Sequence, residues 1–100
     1  MKLGILVNTN KNFQALAGLT RSASDKGHEV TIFAMDEGTR LLEDLQCVSL
    51  SELANVSMSY CDHSAVDLGV NKDAIPDAIE RSSQYNNASM NHNADKVIVL

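Results

Sequence analysis

The sequence has little of several residue types, and each shortage excludes a class of protein. It contains no tryptophan, and only 4% of its 100 residues are aromatic. Because 44% of the residues are hydrophobic, the core must be mostly aliphatic. Eight Lys and Arg residues stand against 13 Asp and Glu residues, which gives a net charge of −5. This balance argues against nucleic acid or an anionic membrane surface as the main partner.

Cysteine is also scarce, and long apolar runs are absent. Two cysteines, Cys47 and Cys61, are too few for a disulfide framework or a four-sulfur zinc site. No apolar run approaches the roughly 18 residues of a membrane span, and the first strand pattern begins at Lys2, without a preceding signal peptide. We therefore expect one domain over residues 1–100, in the reducing cytoplasm, where thiols stay free.

The first third of the chain has the pattern of a strand–helix–strand unit. Leu3–Val7 is a short apolar run, typical of a strand covered on both faces. A helix is then indicated by apolar spacing, and it stops at Lys26 and Gly27. Val30–Met35 predicts a second strand. The helical spacing is that of Phe13, Leu16, Ala17 and Thr20. Such a unit implies parallel strands with a right-handed crossover.

The remainder predicts further alternation of helices and strands. Val56–Tyr60 alternates bulky and small residues, which indicates a strand with two different faces. The other elements are predicted over Thr39–Leu45 (helix, with Leu41, Leu42 and Leu45 inward), Asp62–Gly69 (helix), Ala78–Glu80 (strand), Gln84–His92 (helix) and Val97–Leu100 (strand). The sequence thus predicts a three-layer α/β domain with a mostly parallel five-stranded sheet and helices on both faces.

Reactive groups in an open parallel sheet gather at the carboxyl ends of its strands. Cys61 ends the third predicted strand and precedes a helix, whose N-terminus favours a thiolate. The helix dipole contributes about 0.3–1 kcal/mol, less than the roughly 1.4 kcal/mol of one pKa unit, so a largely protonated thiol is expected at neutral pH. Asp62 opposes the thiolate, and a charged His63 favours it. The alternative is that Cys61 is a small buried hydrophobe.

Three other features have simpler interpretations. Cys47 has apolar neighbours and is predicted to pack in the core; a reversible disulfide with Cys61 stays open, because sequence separation does not fix distance. Cys61 and His63 have no matching ligand cluster, so no metal site is predicted. The loop formed by Asn8, Thr9, Asn10, Lys11 and Asn12 precedes the first helix, with Asn12 as its N-cap, and an alternative function is nucleotide or flavin binding there. It lacks the glycines of phosphate-binding motifs.

The stretch from Val56 to Val70 resembles the DsrE/DsrF-like sulfur-relay proteins, which include the TusD-type subunits. The resemblance lies in a strand, a cysteine and a glycine eight residues later, here Cys61 and Gly69. Gly27–Phe33 is similar to the family's first strand–helix–strand unit, and Ala94–Leu100 is similar to its closing strand. In order and length the resemblance covers nearly the whole chain.

This resemblance implies a flavodoxin-like sheet, assembly of copies into trimers or hexamers, and no cofactor. It implies that Cys61 accepts sulfane sulfur as a persulfide at the helix N-terminus formed by Asp62, His63 and Ser64. Sulfur donor and acceptor proteins, such as a TusA-like carrier, are the implied partners. Ser64 stands where some members have a second cysteine, and Leu68 stands where many have a basic residue. The alternative within the family is a structural subunit in which Cys61 is inert.

Overall fold

The computed structural model describes residues 1–100 as five strands and four α-helices. The strands are β1 (Lys2–Val7), β2 (Glu29–Ala34), β3 (Val56–Cys61), β4 (Glu80–Ser82) and β5 (Lys96–Val99). The helices are α1 (Phe13–Asp25), α2 (Leu45–Val48), α3 (Asp62–Asp67) and α4 (Gln84–Asn93). Short 3-10 segments span Asp36–Glu43, Ser49–Glu52 and Lys72–Ala74. None of the helices combines the length and apolar composition needed to cross a bilayer.

All five strands are parallel and lie in the order β4-β3-β2-β1-β5. The chain builds outward from β1 to β4, and α4 then returns it to the free side of β1, where β5 completes the sheet. With helices on both faces, this is the predicted three-layer α/β fold of the flavodoxin-like type. Parallel pairing places the carboxyl ends of all five strands at one edge of the sheet.

The two faces of the sheet are covered unequally. The packed face carries Ile5, Ile32 and Met58 and lies under α1, α3 and the segment 36–52, in a cluster of 18 buried residues. The open face carries Phe33 and Cys61 and is covered by α4 alone. In β3 the bulky alternate residues point to the packed face, and Ser57, Ser59 and Cys61 point to the open face. The predicted two-faced third strand is therefore confirmed.

Two predicted elements were misplaced. The helix expected over residues 39–45 is a 3-10 segment, and Asp44 caps α2 by accepting a hydrogen bond from the Gln46 N–H at 2.8 Å. Because a new helix begins at Leu45, its side chain points outward and is 81% exposed. The fourth strand begins at Glu80 rather than Ala78, because a turn bonded from the Ile79 N–H to the Pro76 carbonyl delays its pairing with β3.

Gly38 holds the 3-10 segment Asp36–Glu43 against the end of β1. A Cβ at this position would lie 2.1 Å from the Val7 carbonyl oxygen, which no real contact allows. The Met35 N–H also donates to the Val7 carbonyl at 2.9 Å. The segment that leads to Cys47 and borders Cys61 is therefore fixed to the sheet by close backbone packing.

Candidate thiol site at the end of the third strand

Cys61 lies where two elements meet. It is the last residue of β3 and immediately precedes the first turn of α3. Its side chain packs with Phe33 and Met90 on the open face and is 5% exposed. The thiol borders an open pocket of about 1000 Å³, whose walls include the first turn of α4 and the residues that follow β2. Its cover is therefore a thin layer of side chains at the sheet edge.

Hydrogen-bond donors from two helices surround the Cys61 sulfur. Burial raises the pKa of the thiol, but hydrogen bonds from the Ser64 hydroxyl and N–H, the Gln84 side chain and the His63 N–H lower it by more. The resulting pKa is below the ordinary value for cysteine. The Cys61 side chain makes no capping hydrogen bond to α3, unlike Asp44, which caps α2, and Ser83, which caps α4. The arrangement makes the sulfur anion easier to form than at an ordinary cysteine.

Gln84 is oriented by its own helix. The Asn87 Nδ2 donates to Gln84 Oε1 at 3.1 Å, which leaves Gln84 Nε2 to face sulfur. That nitrogen donates to the Met35 Sδ at 3.7 Å, and the Gln84 amide also lowers the pKa of the Cys61 thiol. Ser83 caps α4 by accepting a hydrogen bond from the Tyr85 N–H at 3.2 Å. The first turn of α4 is thus a rigid support for one donor of the site.

Asp62 does not act as an isolated negative charge beside the thiol. Its Oδ1 accepts from Lys72 Nζ at 3.0 Å and lies 3.1 Å from Arg81 Nε. The hydrogen bond from Lys72, together with Arg81, holds the pKa of Asp62 below its ordinary value. Two cations therefore offset the one carboxylate that the sequence predicted to oppose a thiolate. They also bring positive charge to a site where Leu68 supplies none.

The remaining predicted neighbours, His63 and Ser64, differ in their surroundings. Ser64 is a buried residue of α3, and its hydroxyl and N–H lower the pKa of the Cys61 thiol. His63 is exposed and contributes its backbone N–H. The structure therefore brings Cys61, Asp62, His63 and Ser64 together as predicted, with the peptide N–H rather than the imidazole of His63 facing the thiol.

Cys47 occupies a contrasting environment. It is 1% exposed within the cluster of the packed face, on the opposite side of the sheet from Cys61. Burial, with a smaller effect of the Asp44 charge, raises the pKa of its thiol to about 12. Both cysteines are free. The packing role predicted for Cys47 is confirmed, and the sheet separates it from Cys61.

The loop Asn8–Asn12 lies beyond the end of β1, two strands away from Cys61, and does not line its pocket. Thr9 Oγ1 and Asn12 Nδ2 both donate to the Leu100 carbonyl, at 2.8 and 3.0 Å. Asn12 precedes α1 as predicted but makes no capping hydrogen bond with its side chain, because its amide joins this loop to the end of the chain instead. Asn8 is half-buried and Asn10 exposed.

The sequence analysis did not identify three residues of the thiol site, which are Gln84, Lys72 and Arg81. Arg81 was missed because the fourth strand was placed two residues too early. Gln84 and Lys72 lie 23 and 11 residues after Cys61 and meet the site only through the pairing of β4 with β3. The one signal for Gln84 in the sequence is that Ser83, a residue type that caps helices, directly precedes the helix predicted from Gln84. No three His, Cys, Asp or Glu side chains converge as metal ligands would.

Neither a family model nor a curated protein sequence matches the chain. Several solved structures share its fold, including the following two. A conserved protein of unknown function from Bacteroides thetaiotaomicron, BT1422, superposes with a TM-score of 0.80 at 16% identity, covering 99% of this chain and 94% of that one. The YchN protein from E. coli superposes with a TM-score of 0.69 at 16% identity, covering 100% of both chains. At this identity the similarity establishes the fold alone.

Proposed function

We propose that the protein is a cytoplasmic sulfur carrier that holds sulfane sulfur as a persulfide on Cys61. The observation that supports this most is the position of Cys61 before the first turn of α3, where it lines the open pocket and has a pKa below the ordinary value. The groups that lower this pKa are the Ser64 hydroxyl, the Ser64 and His63 N–H groups and the Gln84 amide. A persulfide is an anion near neutral pH, and such donors stabilise an anion without a metal or an organic cofactor.

The chemistry requires two thiol-exchange steps. The Cys61 thiolate attacks the outer sulfur of a donor persulfide, a Cys61 Sγ–S bond forms, and the donor leaves as a thiolate. An acceptor thiolate then attacks the same outer sulfur, and Cys61 leaves as a thiolate. Neither step changes the total oxidation state, so no oxidant or reductant is consumed. Gln84 and Met35 cover the thiol with flexible side chains, which must move aside for either partner.

The proposed partners are sulfur donor and acceptor proteins, with a TusA-like carrier as one candidate, and further copies of this chain in a trimer or hexamer. Support for assembly comes from apolar side chains that a single copy leaves exposed. On the open face these include Val97 and Val99 of β5. Covering such a surface is the usual reason for association. Size-exclusion chromatography with light scattering tests this, and a strict monomer at all concentrations would contradict it.

The carrier function is tested by intact mass spectrometry after incubation with a sulfane-sulfur donor. We expect the wild-type protein to gain the mass of one sulfur atom, removable by dithiothreitol. Cys61→Ser should gain none, and the matched control Cys47→Ser should behave like the wild type. A protein that gains no sulfur, or a Cys61→Ser variant that still gains it, would reject the proposal.

The second candidate is a structural subunit in which Cys61 is inert. The 5% exposure of Cys61 is the observation that favours it. Its consequence is that Cys61 is modified by small thiol reagents no faster than Cys47. The carrier proposal requires the opposite, because the donors around Cys61 lower the pKa of its thiol, whereas burial raises that of Cys47.

A further inference from the structure

A polar groove continues from the Cys61 pocket along the open face. It runs beside α4 over β3 and β2, and Glu80, Tyr85 and Asn86 line both the pocket and the groove. Its floor is made of small hydroxyl side chains, which are Thr31, Ser57 and Ser59. A molecule that reacts at Cys61 therefore has a polar surface on which the rest of it can lie.

The strand register sets the spacing within this groove. Cys61 is paired with Ser82, and two residues earlier Ser59 is paired with Glu80 on the same face. Two residues of a parallel strand span about 7 Å. Ser59 thus lies about 7 Å from Cys61 along β3, and Glu80 lies beside Ser59 on the neighbouring strand, in the direction of the groove.

Both groups lack the partners that their chemistry calls for. Glu80 forms no ion pair, although its Oε2 accepts one hydrogen bond from Asn86 Nδ2 at 3.1 Å. The two cations nearest the thiol, Lys72 and Arg81, are held by Asp62. Ser59 is only 7% exposed, and its hydroxyl takes part in none of the side-chain hydrogen bonds of the chain, so it faces the groove unpartnered.

We propose that Glu80 and Ser59 form a subsite for an ammonium group, so that the thiol site selects a sulfur compound whose cation reaches a point two strand residues, about 7 Å, along the groove from the Cys61 sulfur. A small aminothiol in its persulfide or disulfide form has this chemistry. The identification of the substrate as a sulfane-sulfur compound rests on the proposed function. The charge preference itself depends only on the position of Glu80 relative to Cys61.

The test compares three symmetric disulfides that differ in charge: cystamine, hydroxyethyl disulfide and dithiodiglycolate. The Cys61 thiolate attacks one sulfur, the S–S bond breaks, and the other half leaves as a thiolate and takes a proton from water. Mass spectrometry measures the rate at which each mixed disulfide forms. The ratio of the cystamine rate to the neutral rate cancels the thiolate fraction of Cys61, and dividing it by the same ratio measured for free cysteine removes the difference in leaving-group pKa, so that the quotient reports the subsite.

We expect the cystamine-to-neutral ratio at Cys61 to exceed that of free cysteine about five-fold, the effect of one carboxylate–ammonium contact in water, and dithiodiglycolate to react slowest. Glu80→Gln keeps the acceptor for Asn86 and should bring the ratio close to that of free cysteine, and Ser59→Ala should lower it partly. The matched control is Asp36→Asn, which removes a carboxylate from another wall of the same pocket. No cationic preference, or equal losses in Glu80→Gln and Asp36→Asn, would overturn the subsite.

A peptide disulfide with lysine beside its cysteine distinguishes the source of the ammonium group. If cystamine shows a preference that depends on Glu80, the ammonium group belongs to a free aminothiol. If only the lysine-containing peptide shows it, the ammonium group belongs to a lysine of a partner protein. The outcome is separable from that of the proposed function. A preference that depends on Glu80, with no persulfide gained from a sulfane donor, would keep the subsite and reject the carrier.

Discussion

Cys47 and Cys61 are the same residue type in one small domain, and both are almost inaccessible, at 1% and 5% exposure. The pKa values of their thiols are nevertheless shifted in opposite directions. The pKa of Cys47 rises to about 12, whereas that of Cys61 falls below the ordinary value. Cys47 lies in the apolar cluster of the packed face, where only aliphatic atoms and the Asp44 charge affect it.

The difference shows that accessible area alone does not determine whether a buried thiol can react. Burial disfavours the anion at both positions, and the thiol that also has polar donors around it keeps its anion accessible. Those donors exist at Cys61 because the open face has one helix, whose first turn brings Gln84 to the sheet edge. The packed face has no such gap, and its cysteine serves packing only.

The largest expected effect comes from displacing the segment that leads to Cys47 from its place against the sheet. Gly38→Ala would place a Cβ 2.1 Å from the Val7 carbonyl oxygen, so the segment leading to Cys47 must leave the sheet. We expect a loss of about 3 kcal/mol or more in the free energy of unfolding, measured in urea, and faster labelling of Cys47.

The matched control is Gly18→Ala. Gly18 lies within α1, and a Cβ there meets nothing within 4 Å, so a gain of about 0.5–1 kcal/mol is expected. Equal stability of the two variants would mean that the Gly38 contact does not fix this segment.

Alkaline pH should act through Cys47. A thiol whose folded pKa is raised contributes stability that is complete below its unfolded pKa, roughly 8.5, and is lost as pH rises toward the folded value of about 12. In that window the free energy of unfolding should fall by about 1.4 kcal/mol per pH unit on account of this residue. Cys47→Ala should remove this component of the slope, whereas Cys61→Ala should not. Parallel curves for the wild type and Cys47→Ala would contradict the assignment.

The smallest effect concerns a single donor at Cys61. Gln84→Leu removes the amide that α4 contributes, which should raise the pKa of the thiol and slow its alkylation at neutral pH by roughly three- to ten-fold. Asn87→Ala leaves Gln84 in place but frees its orientation, so a smaller loss is expected. The full pH profile of alkylation is the measurement, because a shifted midpoint separates loss of a donor from a structural defect. An unchanged midpoint in Gln84→Leu would exclude a role for α4.

The parts of the fold that could be predicted from the sequence are those with dense local signals. The unit β1–α1–β2 combines a continuous apolar run, helical spacing and a glycine stop, and Gly27 has the positive φ of 79° that such a stop requires. The three-residue β4 has no pattern of its own and exists only through pairing with β3, so its start was misplaced. Leu45 was assigned inward because one helix was predicted over residues 39–45, whereas a 3-10 segment ends at Glu43 and a new α-helix begins at Leu45.

For the thiol site, position along the strand was enough to indicate Cys61, because parallel strands expose their carboxyl ends. Its N–H donors follow from the helix that begins at Asp62. The side chains that adjust its charge could not be inferred, since Lys72, Arg81 and Gln84 come from later elements that reach the site only in the folded sheet. Local sequence thus indicated the candidate thiol, and tertiary structure supplies its environment.

The most direct test of the account is competitive labelling of the two thiols in one sample of folded protein. Iodoacetamide in limiting amount at neutral pH, followed by peptide mass spectrometry, gives the ratio of the two modification rates. The account predicts that Cys61 reacts at least about a hundred-fold faster than Cys47, because only Cys61 has a lowered pKa and a thin cover. Equal rates, or faster modification of Cys47, would contradict it.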